Sequence, residues 1–288
     1  MKLTEFFKNE QTTLSFEVFP PKTDASFASV VEATEKIAAL KPDFMSVTYG
    51  AGGGNSKATI EVAANLVKRY GVPVTAHLTC VGASEETLDR QLDRLQSAGI
   101  ENIMALRGDI PQDMPADAPW SFRHASDLIA HIRARGDFCI GGACYPEVHP
   151  ESRNQRDDLR WLKAKVDAGC DYLVTQMFFD NNIYYNFLYK SRDAGIRVPI
   201  LPGVMPITRA GQISRAVQLS GTNVPARFRQ IVDTFGDRPE AMKQAGIAYA
   251  TEQIVDLLAN GVRNIHVYSM NKPDVAAAIL QNVGELLK

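Results

Sequence analysis

Glu17 is the residue whose position most invites a chemical reading. It interrupts the apolar run Ser15-Phe-Glu-Val-Phe-Pro-Pro21. A carboxylate there is costly unless it is paired or neutral. Burial in general raises a carboxyl pKa, which suits a general acid at neutral pH. An ion pair closing the fold, or a side chain turned to solvent, would explain the residue without chemistry. Asp109 ends Leu106-Arg-Gly-Asp109, where Gly108 lets backbone approach a ligand closely. A plain turn with an Asp cap accounts for the same residues. His77 lies in Ala76-His-Leu-Thr-Cys80, and His149 in Ala143-Cys-Tyr-Pro-Glu-Val-His-Pro150. Neither shows a Cys/His/carboxylate metal spacing, so hydrogen bonds to a cofactor or satisfied core positions suit them better, and no metal is expected. Gly50-Ala-Gly-Gly-Gly54, before a helical pattern, reads as an anion cradle or simply a glycine loop. Such a polar set serves a hydrolase, a lyase or a flavin enzyme equally well.

These residues sit at the ends of apolar runs, and the runs form a regular series. Eight read as strands: Leu14–Phe19, Phe44–Tyr49, Val74–Cys80, Ile103–Arg107, Cys139–Tyr145, Tyr172–Phe179, Ile200–Met205 and Ile265–Met270. Helical periodicity follows in Ser26–Leu40, Ser56–Tyr70, Ser84–Ala98, His124–Arg135, Asn154–Ala168, Asn181–Ala194, Thr208–Leu219 and Pro273–Leu287. Gly99, Gly169, Gly195 and Gly261 follow helical runs where a left-handed C-cap is wanted. Alternating strands and helices with short links predict a (β/α)8 TIM barrel, whose catalytic groups gather at the carboxyl ends of the strands. An open doubly wound sheet is the competing fold, but no G-x-G-x-x-G follows the first strand. Between the seventh helix and the eighth strand, residues 220–264 break the rhythm. Pro239–Leu258 reads there as a long helix and Pro225–Phe235 as a shorter one, both added to one catalytic domain spanning 1–288.

Composition sets the outer bounds. The chain has 288 residues, 45% hydrophobic and 22% charged, enough for a large core without disulfide or metal staples. A net charge of −2 argues against a nucleic-acid partner. Cys80, Cys139, Cys144 and Cys170 form no C-x-x-C pair and read as reduced, buried small hydrophobes, which suits the cytoplasm. No apolar run is long enough to span a membrane, and the first residues lack a signal-peptide pattern.

Seven segments, taken in order, resemble the bacterial methylenetetrahydrofolate reductases: Ser15-Phe-Glu-Val-Phe-Pro-Pro-Lys22, Ser46-Val-Thr-Tyr-Gly-Ala51, Ala76-His-Leu-Thr-Cys80, Ala105-Leu-Arg-Gly-Asp109, Ala143-Cys-Tyr-Pro-Glu-Val-His-Pro-Glu151, Lys165-Val-Asp-Ala-Gly169 and Thr175-Gln-Met-Phe-Phe-Asp180. The resemblance runs from about residue 14 to the C-terminus. It implies a barrel with a flavin, usually FAD, at the carboxyl ends of the strands. The implied reaction reduces 5,10-methylenetetrahydrofolate to 5-methyltetrahydrofolate with NADH or NADPH, by ping-pong hydride transfer in one-carbon metabolism. Glu17 matches the general acid that protonates the departing nitrogen as the folate ring opens. Asp109 matches an aspartate that contacts the pterin beside the flavin. Gln176 matches a glutamine that contacts folate and nicotinamide, Thr48 a residue near the nicotinamide, and Gln212 a residue that reaches folate. Tyr49, Ala51, His77, Arg107, Gly108, Ala125, Tyr145, His149, Asp158 and Lys165 match the lining of the FAD site, with Arg107, His149 and Lys165 as donors. Lys272 stands where relatives often carry arginine, keeping the charge without the bidentate fork. Ala216 stands where they offer an aromatic ring. Relatives form homo-oligomers. The chain ends one helix after the eighth strand, so the regulatory domain of eukaryotic relatives is not expected. Two other functions fit the same residues: a flavin-bearing subunit fed electrons by a partner protein, and a non-redox pterin-binding barrel.

Overall fold

The computed structural model describes residues 1–9, 11–21, 23–49, 56–111, 114–115, 118 and 120–288. Parallel strands β1 (Thr13–Val18), β2 (Phe44–Val47), β3 (Val74–Thr79), β4 (Asn102–Leu106), β5 (Cys139–Cys144) and β6 (Tyr172–Thr175) pair in sequence order. The seventh run divides into β7 (Ile200–Leu201) and β8 (Gly203–Val204). Pro202 lies between them and has no N–H to give a ladder. β7 pairs with β6, β8 pairs with β9 (Asn264–Tyr268), and β9 returns to β1. The Pro202 carbonyl still accepts from His266 N at 3.0 Å. The divided strand therefore closes the ring, and the fold is the expected (β/α)8 barrel.

Alternation along β1 shows how the sequence divides its faces. Leu14, Phe16 and Val18 are at most 1% exposed and join the layer between strands and helices. Ser15 and Glu17 turn into the barrel, where Ser15 meets His266 and Glu17 meets His77. The helices of that outer layer are α2 (Phe27–Ala38), α3 (Ser56–Tyr70), α4 (Glu85–Ser97), α5 (Ala125–Arg135), α6 (Gln155–Asp167), α7 (Asn181–Asp193), α8 (Gly211–Ser220) and α11 (Pro273–Val283). α4 begins with a side-chain cap, Ser84 Oγ accepting from Thr87 N at 3.2 Å. All four cysteines are buried thiols, and burial pushes Cys80 up to about 11.

Two features lie at the ends of the barrel. A short helix, α1 (Thr4–Lys8), is too brief to show periodicity and escaped the sequence reading. With Leu3 it brings Phe6 and Phe7 against Phe44, Met104, Tyr172 and Leu201, filling the amino end of the barrel. Leu3 N donates to Asn102 Oδ1 at 2.8 Å. At the other side the inserted residues form α9 (Ala226–Phe235) and α10 (Pro239–Ala259), as predicted. They pack Phe228 and Met242 on Phe179, Ile207, Val224 and Ala216. Ala216 is thus a packing residue of this cluster. No helix among the described residues is long and apolar enough to cross a membrane.

Candidate active site

Two adjoining cavities, of about 460 and 330 Å³, open at the carboxyl ends of the strands. Both lie in the roughly 300–1,000 Å³ range of small-molecule clefts. They share a wall of Arg107, Ala125, Ala143, Tyr145, His149 and Lys165. The larger adds Thr48, Tyr49, His77, Gly108 and Asp109. The smaller adds Asp158, together with His124 and Trp161, two rings the sequence reading passed over. Those rings stand nearly parallel, with centroids 6.3 Å apart. Every expected lining residue of the cofactor site therefore falls on one of the two cavities, except Ala51. Ala51 and the glycine stretch 50–54 lie outside the described residues.

The shared wall brings together Lys165, Arg107 and His149. Lys165, on α6, places Nζ 2.6 Å from the Ala143 carbonyl. Burial lowers its pKa, because taking an ammonium out of water is costly. Arg107 makes a bidentate pair with Glu151, at 2.5 and 2.7 Å, and Nε donates to Gly108 O. That carboxylate raises the Arg107 pKa, and the guanidinium lowers that of Glu151. Glu151 N donates to His149 Nδ1 at 3.1 Å. With burial lowering its pKa, His149 is assigned as the neutral tautomer carrying its proton on Nε2. Val148 before it has φ +74°, a left-handed conformation that costs a β-branched residue about 1–3 kcal/mol. Glu147 secures that turn by accepting from Thr222 Oγ1 at 2.6 Å and Asn223 N at 2.8 Å. Gly108 has φ +87°, and a Cβ there would stand 2.7 Å from Val81 Cγ1. Only glycine lets the backbone pass so close to the cavity.

Glu17 does not itself line either cavity. It lies just inside the barrel, behind His77, with its side chain 21% exposed. Its Oε2 is 3.5 Å from His77 Nε2 and 3.6 Å from His266 Nε2. His77 Nε2 is also 2.7 Å from Ser46 Oγ, and burial lowers the His77 pKa against the opposing effect of Glu17. The Glu17 backbone is held from β9: its carbonyl accepts from Ser269 Oγ at 2.6 Å. Two residues on, Asn271 clasps Phe19 through both its N–H and its carbonyl, each at 2.9 Å. Met270 and Asn271 adopt φ of +53° and +51° to make that clasp. His266 and Tyr268 were missed as interior groups. Their signal was the two-residue alternation in Asn264–Tyr268, which turns His266 and Tyr268 inward with Ile265 and Val267 outward.

The expected substrate residues fall into two places. Gln212 Oε1 accepts from Thr208 N and Arg209 N, both at 2.9 Å, and Lys272 Nζ donates to Thr208 Oγ1. Thr208 thus gathers Gln212 and Lys272 beside one another. Burial, and next Arg209, lower the Lys272 pKa. Gln176 follows β6 and folds its Oε1 onto Met177 N. None of the three lines the two cavities. On α4 and α5, Glu85, Asp89 and His131 bring possible metal-ligand atoms within 4.8 Å of one another. Arg135 Nε already lies 3.2 Å from Asp89 Oδ1, so this cluster is an ion-pair network.

Comparison with known proteins gives three results. The family profile "Methylenetetrahydrofolate reductase" matches residues 2–284. The chain is 37% identical over 296 aligned residues to "Methylenetetrahydrofolate reductase (NADH) 1" of Arabidopsis thaliana, covering 98% of this chain and 50% of that protein. It thus spans about half the length of the plant relatives it matches. It is 35% identical to the "5,10-methylenetetrahydrofolate reductase" of Escherichia coli K12, covering 95% of this chain and 91% of that one. Among solved structures, an uncharacterized protein from Clostridium thermocellum that binds two copies of 5-methyl-5,6,7,8-tetrahydrofolic acid aligns with a TM-score of 0.67. It covers 99% of both chains at 16% identity, a likeness of fold.

Proposed function

Because the chain belongs to the methylenetetrahydrofolate reductase family, we propose that it reduces 5,10-methylenetetrahydrofolate to 5-methyltetrahydrofolate, with a flavin in the two cavities and NADH or NADPH as the electron source. The observation that carries this reading is Glu17 standing 3.5 Å behind His77, a residue of the cavity wall. A carboxyl acid at the edge of a cofactor cavity is what opening the folate ring requires. The cavities also fit a flavin dinucleotide: two adjoining lobes share a wall where Lys165 and Arg107 bring positive charge, and the smaller lobe adds the His124 and Trp161 rings. FAD suits the pair of lobes better than FMN.

A flavin bound there would supply hydride transfer between reduced nicotinamide and folate, the two using the site in turn. Arg107, Lys165 and the His149 Nε2 proton would hold its anionic and polar groups. Glu17 gives a proton to the departing folate nitrogen: its O–H bond breaks, an N–H bond forms, and the ring opens to a cationic iminium. Asp109, exposed at the rim of the larger cavity, places negative charge beside that cation. Gln176, Gln212 and Lys272, outside the two cavities, would orient the folate, and Thr48 would serve the nicotinamide.

The test is an absorption spectrum of the purified protein, with the released flavin identified chromatographically. A flavin spectrum is expected, bleached by NADH without oxygen and restored by 5,10-methylenetetrahydrofolate. A colourless protein that takes up no added flavin would overturn the reading. Bound flavin that NADH leaves oxidised would point instead to a protein electron donor.

A further inference from the structure

The turn after β5 carries an acid that the chemistry above does not use. Glu147 stands two residues after Tyr145 and two before His149, and both of those line the two cavities. A carboxylate so placed repels an anionic ligand, so charge gives no reason for it. Its oxygens are engaged by neutral donors instead, Thr222 Oγ1 at 2.6 Å and Asn223 N at 2.8 Å. Those donors lie 75 and 76 residues further along the chain.

The far end of this tie is firmly held. Thr222 is 3% exposed and follows Gly221, the left-handed C-cap of α8. Val224, two residues on, packs with Phe179 and Phe228. The near end is strained. Val148 has φ +74°, where a β-branched side chain is crowded and glycine is not. Within the turn Val148 N donates to Tyr145 O at 3.2 Å, and beyond it Ser152 N donates to His149 O at 2.8 Å. Among the described residues, the two bonds of Glu147 are the only hydrogen bonds that join residues 146–148 to another element of the fold. The turn in its present form sets the His149 ring edge-on against Tyr145, with centroids 4.5 Å apart.

We infer that Glu147 is a positioning residue: its carboxylate holds Val148 in the left-handed conformation and so aims Tyr145 and His149 at the flavin. The inference rests on the flavin reading of the two cavities. Released from Glu147, Val148 relaxes to negative φ, and His149 beside it leaves the wall with its Nε2 proton. The neighbours 147 and 148 thus form a functional pair. Valine at a left-handed position requires an outside tie, and glycine in its place needs none. The tie also joins two halves of the site. The link that follows α8, the helix carrying Gln212, sets the wall that would meet the flavin.

The experiment measures FAD release. Holoenzyme is diluted stepwise, and free FAD is read by its fluorescence to give the dissociation constant. Glu147→Ala is expected to raise that constant about tenfold, as the strain at Val148 is no longer opposed. Removal of a nearby negative charge by itself would tighten FAD, so the direction of the change separates the two effects. Val148→Gly alone is expected to keep the constant within about threefold of wild type, and to bring Glu147→Ala back to that range. Thr222→Val takes the hydroxyl from the far end of the tie. It is expected to weaken FAD in the same direction and to add nothing to Glu147→Ala. An unchanged or tighter constant in Glu147→Ala would sink the inference. So would a loss that Val148→Gly fails to recover, because strain would then not be what the tie opposes. If Glu147→Ala does not fold, Thr222→Val with and without Val148→Gly decides by the same criteria. A wild-type protein that takes up no FAD removes the flavin reading and this inference with it. Equal FAD affinity in all variants removes this inference alone.

Discussion

At the scale of single residues, the site depends on a few groups whose surroundings oppose their ordinary behaviour. Glu17 faces two imidazoles and no paired cation among the described residues. Replacing it by Gln removes the proton but little of the volume. Folate reduction is expected to fall by about 10²–10⁴-fold, the usual contribution of a general acid, while NADH still reduces the flavin. Stopped-flow measurement of the two half-reactions checks this. Asp109 is exposed at the cavity rim, so the role proposed for it is electrostatic rather than structural. Asp109→Asn is expected to weaken folate binding and slow flavin reoxidation without lowering thermal stability. Unchanged folate titrations and reoxidation rates would remove Asp109 from the site.

At the scale of elements, β9 and its following loop hold the first strand in place. Ser269 and Asn271 bind the Glu17 and Phe19 backbones, so the acid is positioned by a strand about 250 residues away in sequence. The inserted α10 has an equally strict packing demand. At Gly246 an added Cβ would stand 1.7 Å from the Ile207 carbonyl oxygen. That atom is backbone and cannot turn aside. Gly246→Ala is therefore expected to destabilise the protein by about 1–3 kcal/mol or more through overpacking, read as a lower urea midpoint. A midpoint equal to wild type would mean that α10 is free to shift outward. The division of the seventh strand at Pro202 is the corresponding feature in the sheet. Two short ladders, one to each neighbour, do the work of a single continuous strand.

At the scale of the whole molecule, the cost of building this cavity appears in the dependence of stability on pH. Burial lowers the pKa of both His77 and His149 below the ordinary 6.5. Between those folded values and 6.5 the unfolded chain binds more protons than the folded one. The stability associated with these residues is therefore present above about 6.5 and is lost as the pH falls through the folded values. The melting temperature of the flavin-free protein should fall as the pH drops below about 6.5, and His149→Asn should flatten that fall. A melting temperature constant from pH 7 to 5 would count against buried neutral histidines.

The fold was legible in the order of the residues because a barrel repeats one local rule. An apolar run followed by a helical period recurs eight times, and each instance carries its own signal. Most of the cavity wall was legible too, because Thr48, Tyr49, Arg107, Gly108, Asp109, Tyr145 and His149 all follow strands, where a barrel gathers its functional groups. The short α1 and the divided strand were hidden, one too brief for periodicity and the other broken by a proline that still permits extended backbone. His266 shows what sequence alone leaves open. A histidine between Ile265 and Val267 reads equally as core or site. Only closure of the ring, which pairs β9 with β1 and brings β3 within reach, sets its imidazole beside Glu17. Local patterns decide which residues form strands; which side chains then share the interior depends on contacts between residues far apart in the chain.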